Sequence, residues 1–214
     1  SEQKKLDRFA VIGVKPGVPF QPPADLSEAI AQGAEAGREQ VRQASSQISV
    51  EQQGWLRSPT NVGKFGDDDL TRAAVAWRYI YANDPVEALY PMALRDAQGQ
   101  LLDGQHAYRL HFPAGQLPPV NAFWSLTLYD GKTQLLAANP IQRYALGDRS
   151  PGLQYDADGG LTLILQPDAP KTAPQGNWLP TPQGPFNLLL RLYLPKDGAL
   201  DGRYRLPTIA RVEP

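Results

Sequence analysis

Apolar positions recur at helical spacing through the first third of the chain and at every second position beyond about residue 85. After an extended, proline-rich entry from Val14 to Pro23, Asp25-Leu-Ser-Glu28 has the form of an N-terminal capping box. Helical composition then runs to about Ser46, with Leu26, Ile30, Ala34 and Val41 making only a narrow stripe, so this helix is expected at the surface. The punctuation of Gly54 to Gly66 predicts a loop. A second helix is predicted from Asp67-Asp68-Asp69, whose carboxylates suit the positive end of the helix dipole, to about Ala82. Its stripe of Leu70, Ala73, Ala74, Trp77 and Tyr81 is expected to dock on the core.

The second part alternates. Tyr108, Leu110 and Phe112 fall on one face of a predicted strand, with Arg109 and His111 on the other. Within Ala122 to Tyr129, Trp124, Leu126 and Leu128 oppose Phe123, Ser125, Thr127 and Tyr129. Asp130-Gly131 predicts a hairpin turn into Gln134 to Ala138, and Leu153 to Asp156 is expected to pair with Leu161 to Gln166. Phe186 to Leu194 alternates Phe186, Leu188, Leu190, Leu192 and Leu194 with Asn187, Leu189, Arg191 and Tyr193. Many short strands between turn signals predict a β-sandwich or barrel. The stretch from Gln166 to Gly184 holds five prolines, yet its Trp178-Leu179 pair needs cover, which predicts an ordered loop. The organisation expected is a mainly helical segment over residues 1–85 and a β-domain over 86–214.

Composition narrows the function. Lys plus Arg number 21 and Asp plus Glu 22, with no basic stripe, which argues against a nucleic-acid partner. Glycine and proline, at 19 and 21 of 214 residues, suit a loop-rich β protein. Without cysteine there are no disulfides, thiolate metal sites or cysteine nucleophiles, and two histidines with one methionine do not make a copper or iron centre. Neither a metal nor another cofactor is expected. No apolar run of about 18 residues exists, so no transmembrane segment is expected.

Chemical motifs are sparse. Nucleophile-elbow, phosphate-loop and dinucleotide fingerprints are lacking. His106 and His111 fall on opposite faces of their strand and read as ordinary histidines. Asp156-Ala-Asp158-Gly159 has the opening carboxylates of a calcium loop without its closing glutamate, so a hairpin turn is the simpler reading. Arg143 either pairs with Asp148 or clamps an anionic or hydroxylated ligand. Arg191 and Tyr193 share a face of an otherwise apolar strand. There Arg191 either pairs with an aspartate such as Asp130 or Asp148 or faces a cleft with Tyr193, Trp124 and Trp178.

The ordered motifs Leu102-Asp-Gly104, Tyr108-x-Leu-His-Phe-Pro113, Leu117-Pro-Pro119, Ala122 to Tyr129, Asn139-Pro-x-x-Arg-Tyr144, Asp158-Gly159, Asn177-Trp-Leu-Pro-x-Pro182 and Arg191-x-Tyr193 resemble the domain of unknown function 1214. The resemblance covers about Tyr90 to Pro195. It implies a jelly-roll-like antiparallel β-sandwich carrying the N-terminal helical segment, an α+β arrangement. It also implies the C-terminal half of a longer bacterial protein, often exported, whose N-terminal partner is a domain of unknown function 1254. The lead expectation is a periplasmic or otherwise exported module, with a cytoplasmic one as the alternative. It would bind a carbohydrate-like or amphipathic small molecule through Trp124, Arg143, Tyr144, Asp148, Trp178, Arg191 and Tyr193. A glycan- or amide-acting hydrolase would instead need two facing carboxylates, for which Glu87, Asp130 and Asp148 are available. A purely structural domain would have both arginines saturated internally and Trp178 buried. An uncovered sandwich face would favour self-association into a homo-oligomer.

Overall fold

A computed structural model describes residues 2–79 and 81–212. At its centre is a pair of long antiparallel strands, β6 (Val120–Asp130) and β10 (Phe186–Pro195), in register from Asp130 opposite Phe186 to Phe123 opposite Tyr193. This register sends Trp124, Leu126 and Leu128 to the same side as Leu188, Leu190 and Leu192, all buried. Phe123, Ser125, Thr127 and Tyr129 share the other side with Asn187, Leu189, Arg191 and Tyr193.

Around that pair the larger sheet runs β1 (Val50–Gln52), β2 (Trp55–Arg57), β4 (Met92–Ala93), β10, β6 and β7 (Ala145–Gly147), with β3 (Ala88–Leu89) also on β10. The smaller sheet is ordered β11 (Ile209–Val212), β5 (Ala107–Phe112), β8 (Leu161–Gln166) and β9 (Trp178–Pro180). Tyr108, Leu110 and Phe112 of β5 and Leu161, Leu163 and Leu165 of β8 meet the inner face of the larger sheet in one core. Phe112 packs on Trp124 at 5.6 Å between ring centroids, and Tyr108 meets Phe186 edge-on at 5.8 Å. Each fully buried leucine here contributes roughly 1.5–3 kcal/mol. The fold is thus a mixed helix and sheet structure built as a sandwich, antiparallel except for the β8–β9 pair.

The helices are α1 (Glu2–Ala10), α2 (Ser27–Gln47), α3 (Asp69–Tyr79) and the single turn α4 (Asp197–Leu200). As expected, α2 lies largely in solvent, laced by Glu35–Arg38 and Glu39–Arg42 ion pairs. Its N-terminus departs from the capping box: Leu26 occupies the cap position, no side chain caps it, and Ser27 Oγ donates back to the Pro23 carbonyl. The start of α3 follows expectation, with the Thr71 N–H donating to Asp68 Oδ1 at 3.0 Å and Asp69 paired to Lys5 at 2.6 Å.

The docking stripe of α3 differs from the expected one. The helix packs on α2 and buries Ala74 and Val75, while Leu70, Trp77 and Tyr81 stay exposed. The buried face of α3 is thus set by what it packs on, chiefly α2, rather than by its largest side chains. The described helix ends at Tyr79; Ile80 lies outside the described residues, and Tyr81 and Ala82, expected within the helix, are not helical.

Three further expectations change. Gln134 to Ala138 forms no strand and contributes only the Tyr129–Leu136 bridge, because the turn closes by the Gln134 N–H donating to the Asp130 carbonyl; β7 takes the neighbouring place. Leu153 to Asp156 does not pair as a strand with β8, whose edges are already taken by β5 and β9. The expected proline-rich loop contains a 3-10 turn (Gln175–Asn177) and then β9, which lies parallel to β8 and buries Trp178 and Leu179. The hairpin β1–β2, within the helical third, joins the larger sheet through β4 and places Trp55 fully in the core.

Candidate functional site

The sandwich leaves the outer face of β6 and β10 to be covered by something. The C-terminal end of α3 and the loop over residues 58–62 lie beside it, bounding a partly open cavity of about 520 Å³. Its floor is Tyr129, Asn187, Leu189 and Arg191, side chains that the register of β6 and β10 sends outward together. Ala88, Leu89, Tyr90 and Met92, on and between β3 and β4, form one wall. Pro59, Val62, Tyr79 and Pro85 close the apolar cover, and Arg78 lies at its edge.

Arg191 dominates the floor. Its Nη1 donates to Thr127 Oγ1 at 2.6 Å and its Nη2 to Tyr129 Oη at 2.7 Å, both neutral acceptors. Among the described residues it has no carboxylate within ion-pair distance, and no aspartate or glutamate lines the cavity. The expected pairing of Arg191 with Asp130 or Asp148 therefore does not form. Asp130 is consumed by its own turn, accepting the Lys132 and Thr133 N–H groups and the Thr133 hydroxyl, and the Thr133 bonds hold its carboxyl below the usual range. Asn187, almost wholly buried, donates to Gln134 Oε1 at 3.1 Å. Burial pushes the Tyr90 phenol up, with the neighbouring Tyr193 adding to the shift, so Tyr90 stays a protonated donor.

The remaining expected residues are not brought to this cavity. Trp124 and Trp178 are 3% and 5% exposed, and the Trp178 Nε1 donates to the Gln166 carbonyl. Arg143 neither pairs with Asp148 nor faces solvent freely. Its Nη1 donates to the Gln175 and Trp178 carbonyls at 2.5 and 2.8 Å, so its partners are main-chain oxygens rather than a carboxylate. Asn139 fixes that loop by accepting the Arg143 N–H and donating to the Ala137 and Arg143 carbonyls. Tyr144 lends its carbonyl to the Leu128 N–H, and Asp148 accepts the Trp124 N–H at 3.1 Å. Tyr193 stacks on Phe123 at 4.3 Å, with Arg149 over the Phe123 ring at 4.2 Å from its centroid.

The histidines take separate places: His106 Nδ1 lies 2.8 Å from Arg211, and His111 Nδ1 3.0 Å from Thr162. Asp156 to Gly160 forms a turn, though not one of a strand hairpin, with the Gly159 N–H on the Asp156 carbonyl and the Gly160 N–H on Asp158 Oδ1. Among the described residues no cluster of three or more metal-ligating side chains occurs, and no helix is long and apolar enough to cross a membrane.

Sequence reasoning finds Arg191 but misses Thr127, Tyr129, Asn187 and Tyr90. The first three are within reach, since they fall on the same outward parity as Arg191 in the two most strongly alternating strands. Nothing local marks Tyr90 or the loop over 58–62, which arrive from far along the chain.

A β-sandwich with a helical cover, holding a cavity between that cover and its larger sheet, is the class of protein these observations define. The chain belongs to the family described as "Protein of unknown function (DUF1214)", whose model matches residues 87–197. Its fold is similar to that of the VPA0106 protein from Vibrio parahaemolyticus, with 29% identity and a TM-score of 0.78. The match covers 99% of this chain and 51% of that one, so the chain spans about half the length of its solved relative. An uncharacterized protein from Burkholderia cenocepacia matches at 16% identity and a TM-score of 0.44, over 98% of this chain and 48% of that chain. The chain matches no curated protein.

Proposed function

We propose that this chain is a binding module for an amphipathic small molecule, held between the helical cover and the outer face of the larger sheet. The observation that carries the reading is Arg191, a half-buried guanidinium with only neutral partners at the floor of a cavity whose other walls are largely apolar. A cavity of this size suits a drug-sized ligand, and a few convergent polar groups in an apolar setting are what orient one. Under this reading the parts of residues 1–85 that line the cavity, the 58–62 loop and the end of α3 with the residues after it, act as cover, and residues 86–214 supply the floor through a jelly-roll-like sandwich. Length beyond this chain in the relative, together with the resemblance to exported bacterial proteins, supports a C-terminal module working beside another domain in the cell envelope.

The carbohydrate reading draws on Tyr193, Phe123 and Arg149, which offer a stacked aromatic shelf on the same outward face of the larger sheet as the cavity floor. The structural reading is favoured for Arg143 and Trp178, both satisfied internally. The hydrolase reading lacks support because no carboxylate lines the cavity among the described residues.

A thermal-shift screen with single-chain amphiphiles below their micellar concentrations tests the proposal, since a ligand bound by the folded state raises the midpoint. A saturable rise that Leu189→Trp abolishes, in a variant that keeps its own cooperative melt, is the expected result. Binding unaffected by that cavity-filling change would place the ligand elsewhere and remove the proposal.

A further inference from the structure

The polar end of the cavity carries a chemical preference of its own. Arg191 offers only donors, and the Tyr129 hydroxyl already accepts from Arg191, so its own proton is left to donate. Tyr90 adds a protonated phenol and Arg78 a second guanidinium at the edge. Among the described lining residues two are arginines and none is acidic. Sugar hydroxyls each donate as well as accept and are best met by charged acceptors, whereas the described lining offers only neutral ones, such as the Asn187 and Gln134 amides. A carboxylate is acceptor-only and matches a planar guanidinium flanked by hydroxyl donors.

From this we infer that the ligand's head is a carboxylate, bound by Arg191 and Tyr129, with its hydrocarbon part against Leu89, Met92, Leu189 and Val62. The inference rests on the cavity being a binding site at all, as proposed above. It assigns Arg191 and Tyr129 as the groups that select an organic acid over the corresponding alcohol or glycoside. The head is thereby assigned to the Arg191–Tyr129 end of the floor, with the tail along the apolar lining of Leu189, Leu89, Met92 and Val62.

Three ligands with one tail and three heads separate the possibilities: octanoate, 1-octanol and octyl glucoside, titrated calorimetrically into the chain at neutral pH. Octanoate is expected to bind about tenfold or more tightly than either neutral ligand, the scale of a charge-assisted hydrogen bond retained in a partly desolvated site. Arg191→Gln should weaken octanoate far more than octanol, bringing the two to within a few-fold of each other. Tyr129→Phe, which removes one hydroxyl and keeps the ring, should weaken octanoate alone and serves if Arg191→Gln does not fold. Equal binding of octanoate and octanol, or tighter binding of octyl glucoside, overturns the carboxylate assignment and leaves the cavity standing. Failure of all three to bind overturns the cavity reading together with it.

Discussion

The guanidinium of Arg143 reaches across to the main-chain carbonyl of Trp178 at 2.8 Å, and the same nitrogen serves the Gln175 carbonyl. It thereby ties the loop after β6 to the entry of β9. A hydrogen bond from a charged donor to a main-chain carbonyl is worth about 1.5–3 kcal/mol. Arg143→Ala is therefore expected to lose stability on that scale in urea unfolding. Arg191→Ala should lose less than about 1.5 kcal/mol, because both its partners are neutral hydroxyls and Tyr129, one of the two, lines the cavity. Equal losses would assign both arginines the same structural role.

Asn177 holds a more demanding position. Almost wholly buried, it accepts the Gln154 N–H at 2.8 Å and donates to the Gln154 and Thr162 carbonyls at 2.7 and 2.9 Å. Truncation strands three main-chain groups at once. Asn177→Ala is expected to lower stability by about 2–4 kcal/mol, measured by denaturant midpoint at unchanged m-value. A loss below about 1 kcal/mol, the worth of a single ordinary hydrogen bond, would mean that water replaces the amide fully.

How much of this is legible in the sequence follows from where the information sits. In β6 and β10 alternation is local, so Trp124, Leu126, Leu128, Leu188, Leu190 and Leu192 can be assigned inward from their spacing alone. The outward parity of Arg191 is equally readable. Its partners are not, because diagonal contacts to Thr127 and Tyr129 need the strand register. Along the expected stripe, weighting large residues favours Trp77 and Tyr81, whereas the residues that are buried are Ala74 and Val75. The proline-rich stretch conceals β9, since a parallel edge strand of three residues leaves too short a pattern to detect. The cavity brings residues 58–62 to Arg191, a juxtaposition that no local period encodes.

Gly104 permits a close approach that no other residue allows. A Cβ added there would stand 1.7 Å from the Pro182 carbonyl oxygen, and the Gly104 N–H donates to the Gly184 carbonyl at 2.9 Å. The nearest obstruction is main chain, so the β-domain must part locally to admit even alanine. Gly104→Ala is expected to destabilise by about 1–3 kcal/mol or more. Gly159→Ala differs in kind: its Cβ meets nothing within 4 Å, and only its φ of +86° opposes the change. The thermal midpoint should therefore fall further for Gly104→Ala than for Gly159→Ala; the reverse order would show that backbone conformation outweighs steric overlap here.

Tyr204 supplies a pH dependence whose sign is fixed by burial. Desolvation raises its phenol above the ordinary value of 10.0, and its hydroxyl donates to the Gln116 carbonyl at 3.1 Å. As pH rises through that ordinary value, the unfolded chain releases this proton while the folded chain retains it. The contribution of Tyr204 to stability is thus complete below about pH 10 and is lost progressively as pH climbs toward the folded value. Tyr204→Phe should cost about 1 kcal/mol near pH 7 through the missing hydrogen bond. It should also flatten the alkaline decline, so that wild type and variant converge between about pH 10 and 11. Unfolding curves collected across that range decide the matter. Parallel declines would mean that Tyr204 reaches water in the folded protein and titrates as it does unfolded.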